Sequence, residues 1–73
     1  MNNEKLFKEF YECDWDVEPV DRVDNYCIEF NIYASNGLSE FRATGYGMTD
    51  DKDDIEIESL FCKLPSGIEV QVK

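Results

Sequence analysis

Tyr26-Cys27-Ile28-Glu29-Phe30-Asn31-Ile32-Tyr33-Ala34-Ser35-Asn36-Gly37-Leu38-Ser39-Glu40-Phe41-Arg42-Ala43-Thr44-Gly45-Tyr46-Gly47 is the stretch that decides the fold. Asn36-Gly37 sits near its middle, and Asn-Gly supplies the positive φ angles that a two-residue hairpin turn requires. With these two residues as the turn, Ser35 faces Leu38. Stepping outward then pairs Ile32 with Phe41, Phe30 with Ala43, Ile28 with Gly45 and Tyr26 with Gly47 on one apolar face. The other face pairs Tyr33 with Glu40, Asn31 with Arg42, Glu29 with Thr44 and Cys27 with Tyr46, and is mostly polar. Turn chemistry and alternation therefore agree on a half-buried antiparallel hairpin. Gly45 and Gly47 leave room above the apolar face, opposite Ile28 and Tyr26, for a bulky residue of a covering element.

The covering element lies upstream. Residues 3–13 read as a helix capped by Asn2 or Asn3, in which Leu6, Phe7, Phe10 and Tyr11 recur at helical spacing. Phe7 or Phe10 is the expected occupant of the glycine gap. Glu4 and Lys8, Lys5 and Glu9, and Lys8 and Glu12 stand four residues apart on the charged side. A helix this short is marginal alone and must dock.

Downstream of the polar loop Thr49 to Asp54, Ile55 to Leu64 and Ile68 to Val72 read as strands joined by Pro65-Ser66-Gly67, a type I turn closed by a glycine bulge. Leu60, Cys62 and Leu64 then share a face with Ile68, Val70 and Val72. Ile55 and Ile57 have the opposite parity, so either a bulge near Ser59 or burial on both sides of the strand must reconcile them. Between helix and hairpin, Trp15 and Val17 alternate with Asp14, Asp16 and Glu18 as in an edge strand, where the missing N–H of Pro19 costs nothing. The expected architecture is α+β: one N-terminal helix packed on a twisted antiparallel meander sheet of four or five strands, with residues 1–73 forming a single domain.

Composition limits what such a fold does. The 73 residues carry 17 Asp and Glu against 7 Lys and Arg, a formal charge of −10, with no His. At this length about 60% of the unfolded surface is hidden on folding, which leaves one thin core and little room for a deep pocket. Without His the commonest general base, nucleophile partner and zinc ligand are missing, so no enzymatic activity is expected. Charge of this sign disfavours direct contact with nucleic acid or anionic membranes. A hydrophobic content of 42%, including 14% aromatic residues, separates the chain from disordered acidic tails. The N-terminal residues show no leader pattern and no apolar run approaches membrane-spanning length, so a cytoplasmic protein is expected. Cys13, Cys27 and Cys62 are odd in number and widely spaced, which suits reduced thiols better than disulfides or a metal knuckle.

The carboxylates are the candidate functional groups. Asp14, Asp16 and Glu18, like Glu56 and Glu58, recur at every second residue and so share a strand face at roughly 6.6 Å spacing. Asp21, Asp24 and the cluster Asp50, Asp51, Asp53 and Asp54 add to these rows. They have two readings: a solvated surface that keeps a small protein soluble, or a rigid array of anions that imitates the phosphate backbone and fits a basic groove. Metal and acid–base chemistry fit less well. Residues 49–54 lack the glycine and alternating ligands of a calcium loop, the cysteines lack a fourth zinc ligand, and nothing separates the pKa values of Glu56 and Glu58. No metal or cofactor is expected. Trp15, Tyr33, Tyr46 and Phe61 read as packing residues rather than a base-stacking platform, which needs a basic groove.

Asp54-Ile55-Glu56-Ile57-Glu58-Ser59 followed by Gly67-Ile68-Glu69-Val70 resembles the closing hairpin of small β-rich bacteriophage proteins, and with the preceding hairpin the similarity covers about residues 26–72. In size and charge the chain is also similar to phage anti-defence proteins, including anti-CRISPR and anti-restriction DNA mimics. That resemblance implies a non-enzymatic inhibitor in the host cytoplasm, occupying the basic nucleic-acid-binding surface of a host defence or nucleic-acid enzyme. The competing expectation is a phage structural or assembly accessory that binds through an apolar patch, its charge serving solubility. The sequence leaves the oligomeric state open.

Overall fold

The computed structural model describes residues 3–73. Helix α1 (Asn3–Glu12) is followed by β1 (Asp16–Asp24), β2 (Cys27–Ser35), β3 (Glu40–Gly47), a 3-10 turn (Lys52–Asp54), β4 (Glu56–Lys63) and β5 (Glu69–Gln71). The strands form one antiparallel sheet in chain order, β1-β2-β3-β4-β5, an α+β meander with β1 and β5 at its edges. Of the two expected helix caps, Asn2 lies outside the described residues and Asn3 is already helical.

One face of the sheet carries the core. Phe30 and Ile32 of β2, Phe41 and Ala43 of β3, and Ile57, Leu60 and Cys62 of β4 are buried together with Leu6, Phe10, Cys13 and Ile55. Each large apolar side chain in this set contributes about 1.5–3 kcal/mol by leaving water. Their alternation along β2 and β3 is the expected one, but the register differs. Ile32 pairs with Ala43, Phe30 with Gly45 and Ile28 with Gly47, two residues along from the pairing centred on Asn36-Gly37. The cause is the turn. Within this turn only Gly37 has positive φ (87°), and Asn36 N–H donates to the Ser39 carbonyl at 3.2 Å, so Gly37 and Leu38 are the central pair, with glycine first as in a type II′ connection. Asn36 Oδ1 accepts from the amides of Leu38 (3.0 Å) and Ser39 (2.7 Å), holding Asn36 at the corner instead of the tip.

The glycine gap is also filled differently. A Cβ on Gly45 would lie 2.7 Å from the Glu56 carbonyl, and one on Gly47 would lie 2.6 Å from that of Asp54. The chain entering β4 therefore crosses where Phe7 or Phe10 was expected, an approach that only residues without a Cβ permit. Phe10 instead stacks on Trp15 at 4.6 Å between centroids and meets Phe41 at 5.7 Å.

The second hairpin has the expected geometry. Gly67 takes φ 93°, its amide donates to the Leu64 carbonyl at 2.9 Å, and Leu64 N–H donates to Ile68 at 2.8 Å. Cys62 pairs with Val70, although Ile68 is exposed. Of the two ways to reconcile β4, the bulge is the one present: Thr44 pairs with Ser59 but Gly45 with Ile57, so Glu58 is extra and both Ile57 and Leu60 reach the core.

Helix α1 ends without a glycine, and side chains from outside it satisfy carbonyls at and just past its end. Trp15 Nε1 donates to the Phe10 carbonyl at 2.8 Å, and Lys52 Nζ donates to those of Tyr11 (2.8 Å) and Cys13 (2.7 Å). No basic residue occupies the helix's own last turn, so Lys52 supplies the cation that a helix C-terminus favours.

Candidate binding face

With α1 and the β3–β4 loop on the core side, the opposite sheet face is open. Strand β1 decides what it displays. Asp16 and Glu18 stand opposite Tyr33 and Asn31; after a register shift at Val20, Asp21 stands opposite Glu29; after another at Val23, Asp24 stands opposite Cys27. All four partners are alternate residues of β2 that point away from the buried Phe30 and Ile32, and directly paired residues share a face. Each extra residue therefore resets the period, and four acids spaced by two, three and three all reach the open side.

The other predicted residues divide into two groups. Glu56 pairs with Tyr46, which pairs with Glu29, which pairs with Asp21, so one ladder across four strands carries three carboxylates. Glu58 accepts a hydrogen bond from the Tyr46 hydroxyl, which together with the nearby charge raises the Tyr46 pKa above its ordinary value. The loop cluster, by contrast, lies on the helix side, where Lys52 bonds α1. Asp51 Oδ1 accepts from the Asp53 amide at 3.0 Å, and Asp54 Oδ2 accepts from the amides of Met48 (2.9 Å) and Thr49 (2.7 Å). Asp51 and Asp54 thus shape the loop, and Asp50 and Asp53 do not join the sheet-face rows. Asp14 stands just before β1, beside the Ser35–Asn36 turn.

The aromatic residues need a correction. Trp15 packs on Phe10 as expected, but Tyr33, Tyr46 and Phe61 lie on the open face, in register with Arg42, Glu29 and Gln71. Arg42 lies 4.4 Å over the Phe61 ring and donates to both Glu69 oxygens, at 3.0 and 3.3 Å. The face is consequently polarised. The end holding Asp21, Asp24, Glu29, Glu56 and Glu58 is anionic, and the end holding Tyr33, Arg42, Phe61 and Lys63 is aromatic with mixed charge. Glu29 and Arg42 were not singled out from sequence, and Tyr33 was read only as a packing residue, although the alternation of β2 and β3 already placed all three on the polar side.

Among the described residues no group of three or more His, Cys, Asp or Glu is arranged to hold a metal, and no helix is long and apolar enough to cross a membrane. No family model, curated protein or solved structure matches this chain.

Proposed function

We propose that this chain is a non-enzymatic binding protein whose open sheet face occupies the nucleic-acid-binding surface of a basic partner, in the manner of a DNA mimic. The observation that supports the reading is the pair of register shifts in β1, which bring Asp16, Glu18, Asp21 and Asp24 onto the face that also carries Glu29, Glu56 and Glu58. Solubility alone does not call for such alignment, because dispersed charge serves it equally and like charges in rows repel. Rows of anions at roughly 6.6 Å along a strand and about 4.8 Å between strands suit a groove lined with Lys and Arg.

Two triple variants test this. Reversing Asp21, Glu29 and Glu56 to Lys, or Glu4, Glu9 and Glu12 to Lys, shifts the net charge equally, from −10 to −4. Screening over about 8 Å lets only charges near the contact matter. In lysate capture on the immobilised chain, the sheet-face variant should retain no partner, and the helix variant should retain it as the wild type does. Duplex DNA or raised salt should release the partner. Equal capture by both variants, or a partner that holds DNA and this chain together, refutes the reading.

A second reading, an assembly accessory docking through apolar contacts, is favoured by one observation: Val20, Val23 and Tyr26 are 51%, 57% and 74% exposed on the β1–β2 hairpin. Capture that resists salt and is lost in a Val20→Ser, Val23→Ser variant would select it.

A further inference from the structure

We infer that the mixed-charge end of the open face is an anchor for one arginine side chain of the partner, seated against the Tyr33 ring; this rests on reading the face as a binding surface. The row Asp16, Tyr33, Arg42 and Phe61 runs across the sheet in register. Beside it lies a depression of about 540 Å³. Four carboxylates line it, Asp14, Asp16, Glu40 and Glu69, against two cations, Arg42 and Lys63, so the site is net anionic.

Arg42 does not make the site hostile to a second cation, because Glu69 engages its guanidinium and Phe61 lies beneath it. Tyr33 is 46% exposed, Asp16 is its cross-strand neighbour, and among the described residues no other ring and no cation stacks on it. An apolar ring with carboxylates at its edge selects a planar, weakly hydrated cation on an apolar stem. That is arginine rather than lysine, whose compact ammonium is more strongly hydrated. Tyr is also among the residue types enriched where binding energy concentrates in interfaces. The carboxylates at the far end then set encounter and charge, and Tyr33 sets which basic residue is preferred.

Hexa-arginine and hexa-lysine peptides, equal in charge, are the probes, titrated into isotope-labelled protein at physiological salt. At an exposed ring the stacking preference corresponds to about 2–5-fold, so hexa-arginine binds more tightly by that factor and shifts the amides of Asp16, Tyr33 and Arg42 most. Tyr33→Phe keeps the preference, and Tyr33→Leu loses it with hexa-lysine affinity unchanged. Equal wild-type affinities, or a preference that survives Tyr33→Leu, overturn the anchor. The Asp21, Glu29 and Glu56 reversal separates the two ideas. Weakening of both peptides without any wild-type arginine preference overturns the anchor alone, whereas unchanged binding of both overturns the face reading and the anchor with it.

Discussion

Substituting Gly45 by Ala tests the crossing of β3 by the chain that enters β4. The added Cβ would lie 2.7 Å from the Glu56 carbonyl oxygen and 2.8 Å from Ile55 Cγ2, closer than the 3.0 Å that real Cβ contacts respect. The oxygen belongs to backbone, so no rotamer relieves the contact and the entry to β4 must shift. Overpacking of this kind costs about 1–3 kcal/mol. The total stability expected at this length is about 4–11 kcal/mol. Gly45 is not among the glycines with positive φ, so without the clash alanine there would stabilise by about 0.4–1 kcal/mol through the unfolded chain. The two accounts thus differ in sign. Urea melts should show a lower midpoint, and thermal melts a Tm reduced by roughly 4–24 °C, at about 4–8 °C per kcal/mol. Gly37 is the control: a Cβ there meets nothing within 4 Å, and its φ of 87° makes any loss purely conformational. A Gly45→Ala protein as stable as the wild type, or more so, would refute the crossing.

Cys62 is fully buried and its thiol pKa is pushed up by burial, with a Ser39 hydrogen bond opposing, so native-state alkylation should label the partly exposed Cys27 well before Cys62; peptide mass spectrometry checks the order. A folded-state thiol pKa above the unfolded one contributes stability that is complete below the unfolded value and lost as pH rises through the folded one. The same sign holds for Tyr46, raised first by its hydrogen bond to Glu58: Glu58→Gln should move the alkaline absorbance titration of Tyr46 to lower pH, and an unchanged midpoint would deny the contact.

The faces of the sheet were legible and the register of the β2–β3 hairpin was not, for a single reason. Side chains alternate with period two, so a slip of two residues leaves Phe30, Ile32, Phe41 and Ala43 facing the core as before. Asn36-Gly37 misled because the Asn36 side chain takes the Leu38 and Ser39 amides and moves the turn centre on by one. Pro65-Ser66-Gly67 was plain, since proline and glycine each occupy the position their backbone demands. The acids of β1 were found but not their alignment: spacings of three look out of phase until the shifts at Val20 and Val23 are known. The opposed parity of Ile57 and Leu60 did expose the conflict in β4, because both residues are too apolar to leave in water, but it left a bulge and two-sided burial as equal solutions until the pairing with β3 selected the bulge. Lys52 on the helix end was beyond reach, since no local pattern reports a contact across 41 residues.

That contact orders events in time. The helix is the most local element of the chain, yet its ten residues are too few to persist alone. The Tyr11 and Cys13 carbonyls at its end wait for an ammonium delivered from the β3–β4 connection. Lys52 reaches them only after β2 and β3 have paired and the chain has turned over Gly45 and Gly47. The segment made first is therefore secured late. Its closing bonds belong to the descent from the folding transition state, so losing Lys52 should hasten unfolding while leaving the folding rate nearly unchanged.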